Sequence, residues 1–328
     1  MRLDGHTMGT TWSVTYLAAE GGPSPETVER ELQAALDAVN ASMSTYQDDS
    51  EISRFNRLPV GQWQALSEHF YRVLSEALRI GELSEGAYDV TVGPLVNLWG
   101  FGPDGPVNGV PAQEEIALQL AAIGQQHLLV DKDQQRLAKQ APVSLDFSSI
   151  AKGYGVDQLA NYLLTQQISD FLVEVGGEMR LAGNSPRGDS WRIAVERPVA
   201  GARAPQVTLA LSNIAVATSG DYRNYFEVDG QRYSHSIDPR TGYPVAHDLV
   251  SVTVLADSAL EADAWATALD VLGGKQALLL ANAHNLAVYL IRRQGDELIA
   301  TYSEAMLPYL PANESSTTEG QSVPERLP

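Results

Sequence analysis

Asp263 and Thr267 stand four residues apart in a stretch whose neighbours, Ala262, Ala264, Ala266 and Ala268, predict a helix. At that spacing both oxygens point to one face. A carboxylate and a hydroxyl are donors that a hard divalent ion such as magnesium takes, and a loop carbonyl would extend the set. A solvated helix face is the plainer reading, weakened by the small apolar residues around the pair. A second candidate runs from Asp146 through Ser148, Ser149 and Lys152 to Gly155. It marks the passage from a buried strand into a helix, where free amides, the Lys152 charge and the bare backbone of Gly153 and Gly155 make an anion site. A turn capped by Asp146 or Ser148 is the alternative.

The segment Ser234-His235-Ser236-Ile237-Asp238-Pro239-Arg240-Thr241-Gly242 gathers an imidazole, a carboxylate, a guanidinium and hydroxyls. His235 is the candidate general base, since an unperturbed imidazole titrates at about 6.5. Arg240 and Lys152 are basic groups able to meet a phosphate, Thr241 counts with Arg240 as a candidate ligand contact, and Asp238-Pro239 and Thr241-Gly242 carry turn chemistry. Gly176-Gly177-Glu178 suits a flat ligand lying against bare backbone, or an ordinary bulge. Ser219 and Gly220, inside Thr218-Ser219-Gly220-Asp221-Tyr222, carry the same ambiguity. Gly100 to Gly105 matches the glycine pattern of a dinucleotide loop, but Pro103 and Pro106 forbid the helix that such a loop must open.

These residues need positioning elements. The alternation over Trp12 to Leu17 predicts a strand. Ser24 with Pro25 opens a helix carrying Val28, Leu32, Leu36 and Val39 on one face, and Ser67 opens another with Phe70, Val73, Leu74 and Ala77. Gly93 to Gly109 reads as a long irregular connection. Helices are expected over Pro111 to Ile123 and Ile150 to Gln166, the second fed by a short strand around Val143 to Asp146. Strands follow over Phe171 to Val175, Trp191 to Val195 and Val207 to Leu211, with a hairpin at Asp229-Gly230. A strand over Val250 to Leu255 leads into helices Ala259 to Leu272 and Lys275 to Ala283, and a hairpin over Leu286 to Tyr302 closes the domain. Runs of antiparallel strands with inserted helix pairs make the fold class α+β. One domain of two intimately packed lobes is expected over 1–310, and Pro311 to Pro328 reads as a polar, disordered tail.

A chain of 328 residues with 44% hydrophobic content can bury a large core. Its formal charge of -19 repels phosphate backbones and excludes nucleic acid as the main partner. Any phosphate bound here needs a cation, helix N-termini or a few basic groups. With no cysteine, thiolate chemistry is absent. No stretch has the roughly 20 apolar residues that cross a bilayer. Thr7-Met8-Gly9-Thr10 already looks like the lip of a strand, from which we expect that a leader has been trimmed.

Taken in order, Thr7 to Thr10, Met43-Ser44-Thr45-Tyr46, Asp89 to Gly100, the Asp146 segment, Gly176-Gly177-Glu178, Thr218-Ser219-Gly220 and the His235 segment resemble the ApbE family over roughly Thr7 to Tyr302. The resemblance implies a T-fold-like architecture, two related lobes of antiparallel sheet with packed helices around a central cleft for FAD. It implies flavin and adenine contacts from Met8, Tyr46, Tyr88, Asp89, Val90, Asp146, Lys152, Glu178 and Ile237. It further implies a magnesium ion held by Asp263, Thr267 and the main-chain carbonyl of Ser149. Some relatives carry an Asp at the position of Ala266, which makes the ion here wetter or weaker. The implied activity is transfer of FMN from FAD to a Ser or Thr hydroxyl of an acceptor protein, a flavin-bearing subunit of a redox pump or related respiratory protein, with release of AMP. Hydrolysis of FAD to FMN and AMP and simple FAD carriage are the alternatives. Family members are commonly periplasmic lipoproteins tethered to the bacterial inner membrane through a cysteine, so here the tether is expected to be trimmed or absent.

Overall fold

Met8 and Gly9 both take positive φ, 48° and 70°, the primed turn geometry that matches the twist of a two-strand hairpin, and the chain doubles back within its first sixteen residues. The computed structural model describes residues 1–107, 109–199, 204–220, 225–228 and 230–312. Asp221 and Tyr222, Asp229 of the expected hairpin turn and 313–328 of the expected tail lie outside them. In order the elements are β1 (Arg2–Thr7), β2 (Thr10–Tyr16), α1 (Pro25–Met43), α2 (Glu51–Arg57), β3 (Gln64–Ala65), α3 (Glu68–Leu83), α4 (Gly93–Leu98), α5 (Gln113–Ala122), β4 (Leu128–Asp131), β5 (Arg136–Lys139), α6 (Ala151–Thr165), β6 (Phe171–Val175), β7 (Glu178–Ala182), β8 (Trp191–Glu196), β9 (Pro205–Leu211), β10 (Ile214–Ser219), β11 (Tyr225–Val228), β12 (Gln231–Ser234), β13 (Leu249–Ala256), α7 (Ala259–Leu272), α8 (Gly274–Ala283), β14 (Ala287–Gln294) and β15 (Glu297–Tyr302).

Eight strands form one sheet in the order β1-β2-β6-β7-β10-β13-β14-β15, with antiparallel neighbours throughout. The order splits into two halves of one plan. In each, two adjacent strands precede the helices that pack on the sheet, and a hairpin follows them. The halves join where β7 pairs with β10, at Met179 to Leu181 against Ile214 to Val216. The fold is therefore α+β, as the strand and helix pattern predicts.

Three layers result. α1, α6 and α7 cover one face of the sheet, and β8 with β9 and the turn at Glu304–Tyr309 cover the other over β10, β13 and β14. Along β14, Val288 and Leu290 face the helices while Tyr289 and Ile291 face the hairpin layer. Burial on both faces explains why β10 and β13 lack a polar alternation. Ser24 and Ser67 cap α1 and α3 through their side chains, as their positions predict.

Two local expectations need correction. Val143 to Asp146 forms no strand. It runs extended because the Asn56 side chain pairs with it, donating to Leu145 O at 2.9 Å and accepting from Leu145 N at 2.7 Å. Asp146 N then donates to Val90 O at 2.7 Å. Lys139 Nζ closes the far side, donating to Asn56 O and Val143 O at 2.8 and 3.0 Å. Gly93 to Gly109 is not irregular throughout, because α4 occupies its first part around Leu95, packed with Trp99 on Ile116 and Ile237. Replacing Asn56 with Ala leaves both backbone groups of buried Leu145 without partners. We expect a loss of about 1 to 3 kcal/mol in unfolding free energy, read as a lower urea midpoint.

Candidate functional site

The close crossing of α6 and α7 builds the floor of the site. A Cβ on Gly153 would run into the Ala259 carbonyl and stand 2.7 Å from Asp263 Cβ. The glycine thus admits another helix, where the sequence pointed to a ligand. Its amide, third in α6, donates to Asp263 Oδ2 at 2.9 Å, so this helix-end donor is engaged within the protein. Neither Asp146 nor Ser148 caps the helix; Asp146 Oδ1 instead accepts from Ser148 N at 2.8 Å.

Lys152, one residue earlier, places Nζ 2.8 Å from Glu178 Oε1 and 3.6 Å from Asp263 Oδ1. Glu178 opens β7 after Gly176 and Gly177, whose φ angles are 60° and 110°. The face that Gly176 bares is filled by Thr10 Cγ2 and Lys152 Cδ, 2.9 and 3.2 Å from where its Cβ would be, whereas nothing approaches Gly177.

One ammonium between two buried carboxylates compensates them only in part. Burial raises the Asp263 pKa, and burial with the nearby Asp263 charge pushes Glu178 up to about 7 against the pull of Lys152. Burial would lower the Lys152 pKa, but Asp263 and then Glu178 outweigh it and hold the ammonium charged. Glu178 Oε2 is buried and has no hydrogen-bond partner among the described residues. Such an oxygen on an under-compensated cluster is what a cation or a proton would satisfy.

A cavity of about 850 Å³ lies above this cluster. Lys152, Gly176, Glu178, Asp263 and Thr267 line it, together with Tyr88, Asp89, Asp146, Ser149, Ser219, Gly220, His235 and Ile237. Asp263, on the same helix face as Thr267, is only 3% exposed, which excludes the solvated-face reading. Thr267 Oγ1 lies 3.4 Å from Ser219 Oγ. Ser149 Oγ donates to Tyr88 OH at 3.1 Å, and burial raises the Tyr88 pKa so that it stays a phenol. A second cavity of about 660 Å³ shares Asp146, Ser148 and Lys152 as wall and reaches Met8 and Tyr46. The two cavities thus adjoin at a shared wall, and Met8, Val39 and Met43 give the second an apolar side.

The other wall comes from the excursion after β12, where His235, Ser236, Ile237 and Pro239 line the cavity. Trp99 Nε1 ties it down by donating to Gly242 O at 2.9 Å. Phe101 meets the His235 ring edge-on at 6.2 Å between centroids.

Not every expected residue lines these cavities. Arg240 turns back on Asp238, at 2.9 and 2.8 Å, Thr241 accepts from Tyr243 N, and neither borders either cavity. Val90 is buried and offers its carbonyl to Asp146. Asp89 does line the cavity but spends its oxygens on Thr91 N, Thr91 Oγ1 and Gln125 N. Asp270 escaped the sequence reading. It is wholly buried and accepts from Ser236 Oγ at 2.7 Å; its place seven residues after Asp263, on the same stripe, was the available signal. Among the described residues no group of three or more His, Asp or Glu could hold a metal ion, so a cation here must also draw on hydroxyl and carbonyl oxygens.

The raised Glu178 pKa has a stability sign. The unfolded chain releases this proton near 4.5 and the folded chain near 7, so the contribution is complete below about 4.5 and is lost as pH rises through 7. We expect the urea-derived stability of the metal-free protein to fall between pH 5 and 8 by something on the order of 1 to 3 kcal/mol more than that of Glu178→Gln. Equal slopes would remove Glu178 as the titrating group.

The model of the ApbE family matches residues 8–290. The FAD:protein FMN transferase of Haemophilus influenzae is 46% identical over 311 residues, covering 92% of this chain and 89% of that protein. The FAD:protein FMN transferase of Vibrio cholerae serotype O1 is 44% identical over 311 residues, covering 94% and 92%. The solved structure of the flavin transferase ApbE from Vibrio cholerae superposes with a TM-score of 0.89 at 43% identity, covering 94% of this chain and 99% of that one. With a family match across most of its length and relatives this similar, the chain belongs to the ApbE family.

Proposed function

We propose that this chain transfers FMN from FAD to a Ser or Thr hydroxyl of an acceptor protein and releases AMP. The observation that carries the reading is the cluster in which Lys152 faces two buried carboxylates, Glu178 and Asp263, with one carboxylate oxygen left without a partner, beside a cavity of about 850 Å³. The relatives named above, FAD:protein FMN transferases, support the same activity.

We infer magnesium as the ion. Asp263, Thr267 and Ser149 all line the cavity and would offer it a carboxylate, a hydroxyl and a main-chain carbonyl, and the under-compensated carboxylates nearby favour a divalent ion. Bound there, the ion would neutralise the diphosphate of FAD. Lys152 fixes a positive charge on the floor, Tyr88 stays protonated as a hydrogen-bond donor, and Met8 and Tyr46 border the second cavity, whose apolar side suits an aromatic ring. In the transfer, the acceptor oxygen bonds to the FMN phosphorus, the bond from that phosphorus to the oxygen of the AMP half breaks, and the hydroxyl proton passes to His235 on the other wall. Because the phosphoryl transition state is loose, His235 has the smaller share of the rate.

We also infer a periplasmic setting at the bacterial inner membrane and redox-pump subunits as acceptors. This rests on the family resemblance. No described helix is long and apolar enough to cross a membrane.

The test is incubation with FAD, magnesium and candidate acceptor domains, read by mass spectrometry for an added FMN. Asp263→Ala is expected to lose at least 100-fold in transfer rate, and His235→Ala about tenfold or more. Full activity in the first removes the metal assignment, and a smaller loss in the second removes the base. AMP release without acceptor at the same rate would make the chain a pyrophosphatase.

A further inference from the structure

The stripe that begins with Asp263 and Thr267 continues to Asp270 in the last turns of α7, where it meets Ser236, one of the residues that line the cavity. Its Oδ2 accepts a 2.7 Å hydrogen bond from Ser236 Oγ. Its main-chain carbonyl accepts a second, also 2.7 Å, from His247 Nε2. Ser236 and His247 lie near opposite ends of the excursion between β12 and β13. A single residue of α7 therefore pins both ends of the segment that carries His235 and Ile237.

Between these anchors the segment closes on itself. Val245 N donates to Ser236 O and Asp238 N to Tyr243 O, each at 2.9 Å, and Ile237 bridges Pro244. Ser236 N in turn donates to the buried Ser234 Oγ at 3.1 Å. The segment is thus stiff in itself and is placed by its attachments. A hydroxyl hydrogen-bonded to a wholly buried side chain is a strong attachment, because a hydrogen bond out of water is worth more than one in water.

We propose that Asp270 is a positioning residue: through the Ser236 hydroxyl it sets the height of the His235 to Ile237 strip above the face of α7 that presents Asp263 and Thr267. Floor and other wall then share one helix as their reference, and the gap between them is held constant. What the strip acts upon rests on the transfer reading above; its position rests on the hydrogen bonds alone.

The test uses full-length protein labelled at its six histidines, with two readouts: the His235 ring resonances, and AMP release at saturating FAD with magnesium and an acceptor domain. Ser236→Ala and Asp270→Ala are each expected to move the His235 signals and to slow AMP release at least tenfold, with the thermal midpoint little changed for Ser236→Ala. The His247 signals stay in place, since its acceptor is a backbone carbonyl. Asp270→Asn keeps an acceptor oxygen for Ser236 and should return the rate to within about threefold of wild type. The Ser236→Ala, Asp270→Ala pair should be no slower than the worse single variant, since both remove one bond. A folded Ser236→Ala protein with unmoved His235 signals overturns the proposal, as do multiplying losses or an Asn variant no better than Ala. Should Asp270→Ala fail to fold, Ser236→Ala decides alone. A wild-type chain that leaves FAD intact removes the transfer reading, while the imidazole signals still decide the positioning.

Discussion

The arrangement depends on a single ammonium at the cavity floor shared by two buried carboxylates. Lys152 comes from the first turn of α6, Asp263 from the middle of α7 and Glu178 from the start of β7, so one cation ties both helices to the central strands. The contact exists because Gly153 has no side chain and lets α7 approach the backbone of α6. Carboxylate charge buried in this way is costly unless balanced, and two carboxylates facing one ammonium leave the floor receptive to a further cation or a proton. Stability and ligand binding are therefore set by the same three side chains.

Much of this was legible in the sequence, and the parts that were not share physical reasons. Serine caps and apolar stripes located α1, α3 and α7 to within a residue or two, because caps and periodicity are local signals. The central strands β7 and β10 were not seen as strands. β10 is buried on both faces and β7 opens on Glu178, so neither shows the alternation that marks a half-exposed strand. The extended run before Asp146 reads as a strand in sequence but pairs with one side chain, Asn56, which lies about ninety residues away and leaves no local mark.

The site residues divide along similar lines. Asp263, Thr267, Lys152 and His235 were found by type and spacing, Glu178 through the family resemblance, and they meet around one cavity. Arg240 and Thr241 belong to the same dense segment, yet their groups are consumed by the turn that they make with Asp238. Gly153 was read as room for a ligand and proves to be room for a helix. Density of functional groups identifies a segment; the backbone that folds it decides which groups remain for chemistry.

The two halves of the molecule are sewn together by main-chain hydrogen bonds between β7 and β10, and a sheet that runs unbroken across such a seam cannot open like a clam. The floor is carried by that sheet and by α7, and the excursion after β12 is tied to the same helix through Asp270. A ligand entering from outside would meet two surfaces held in one frame.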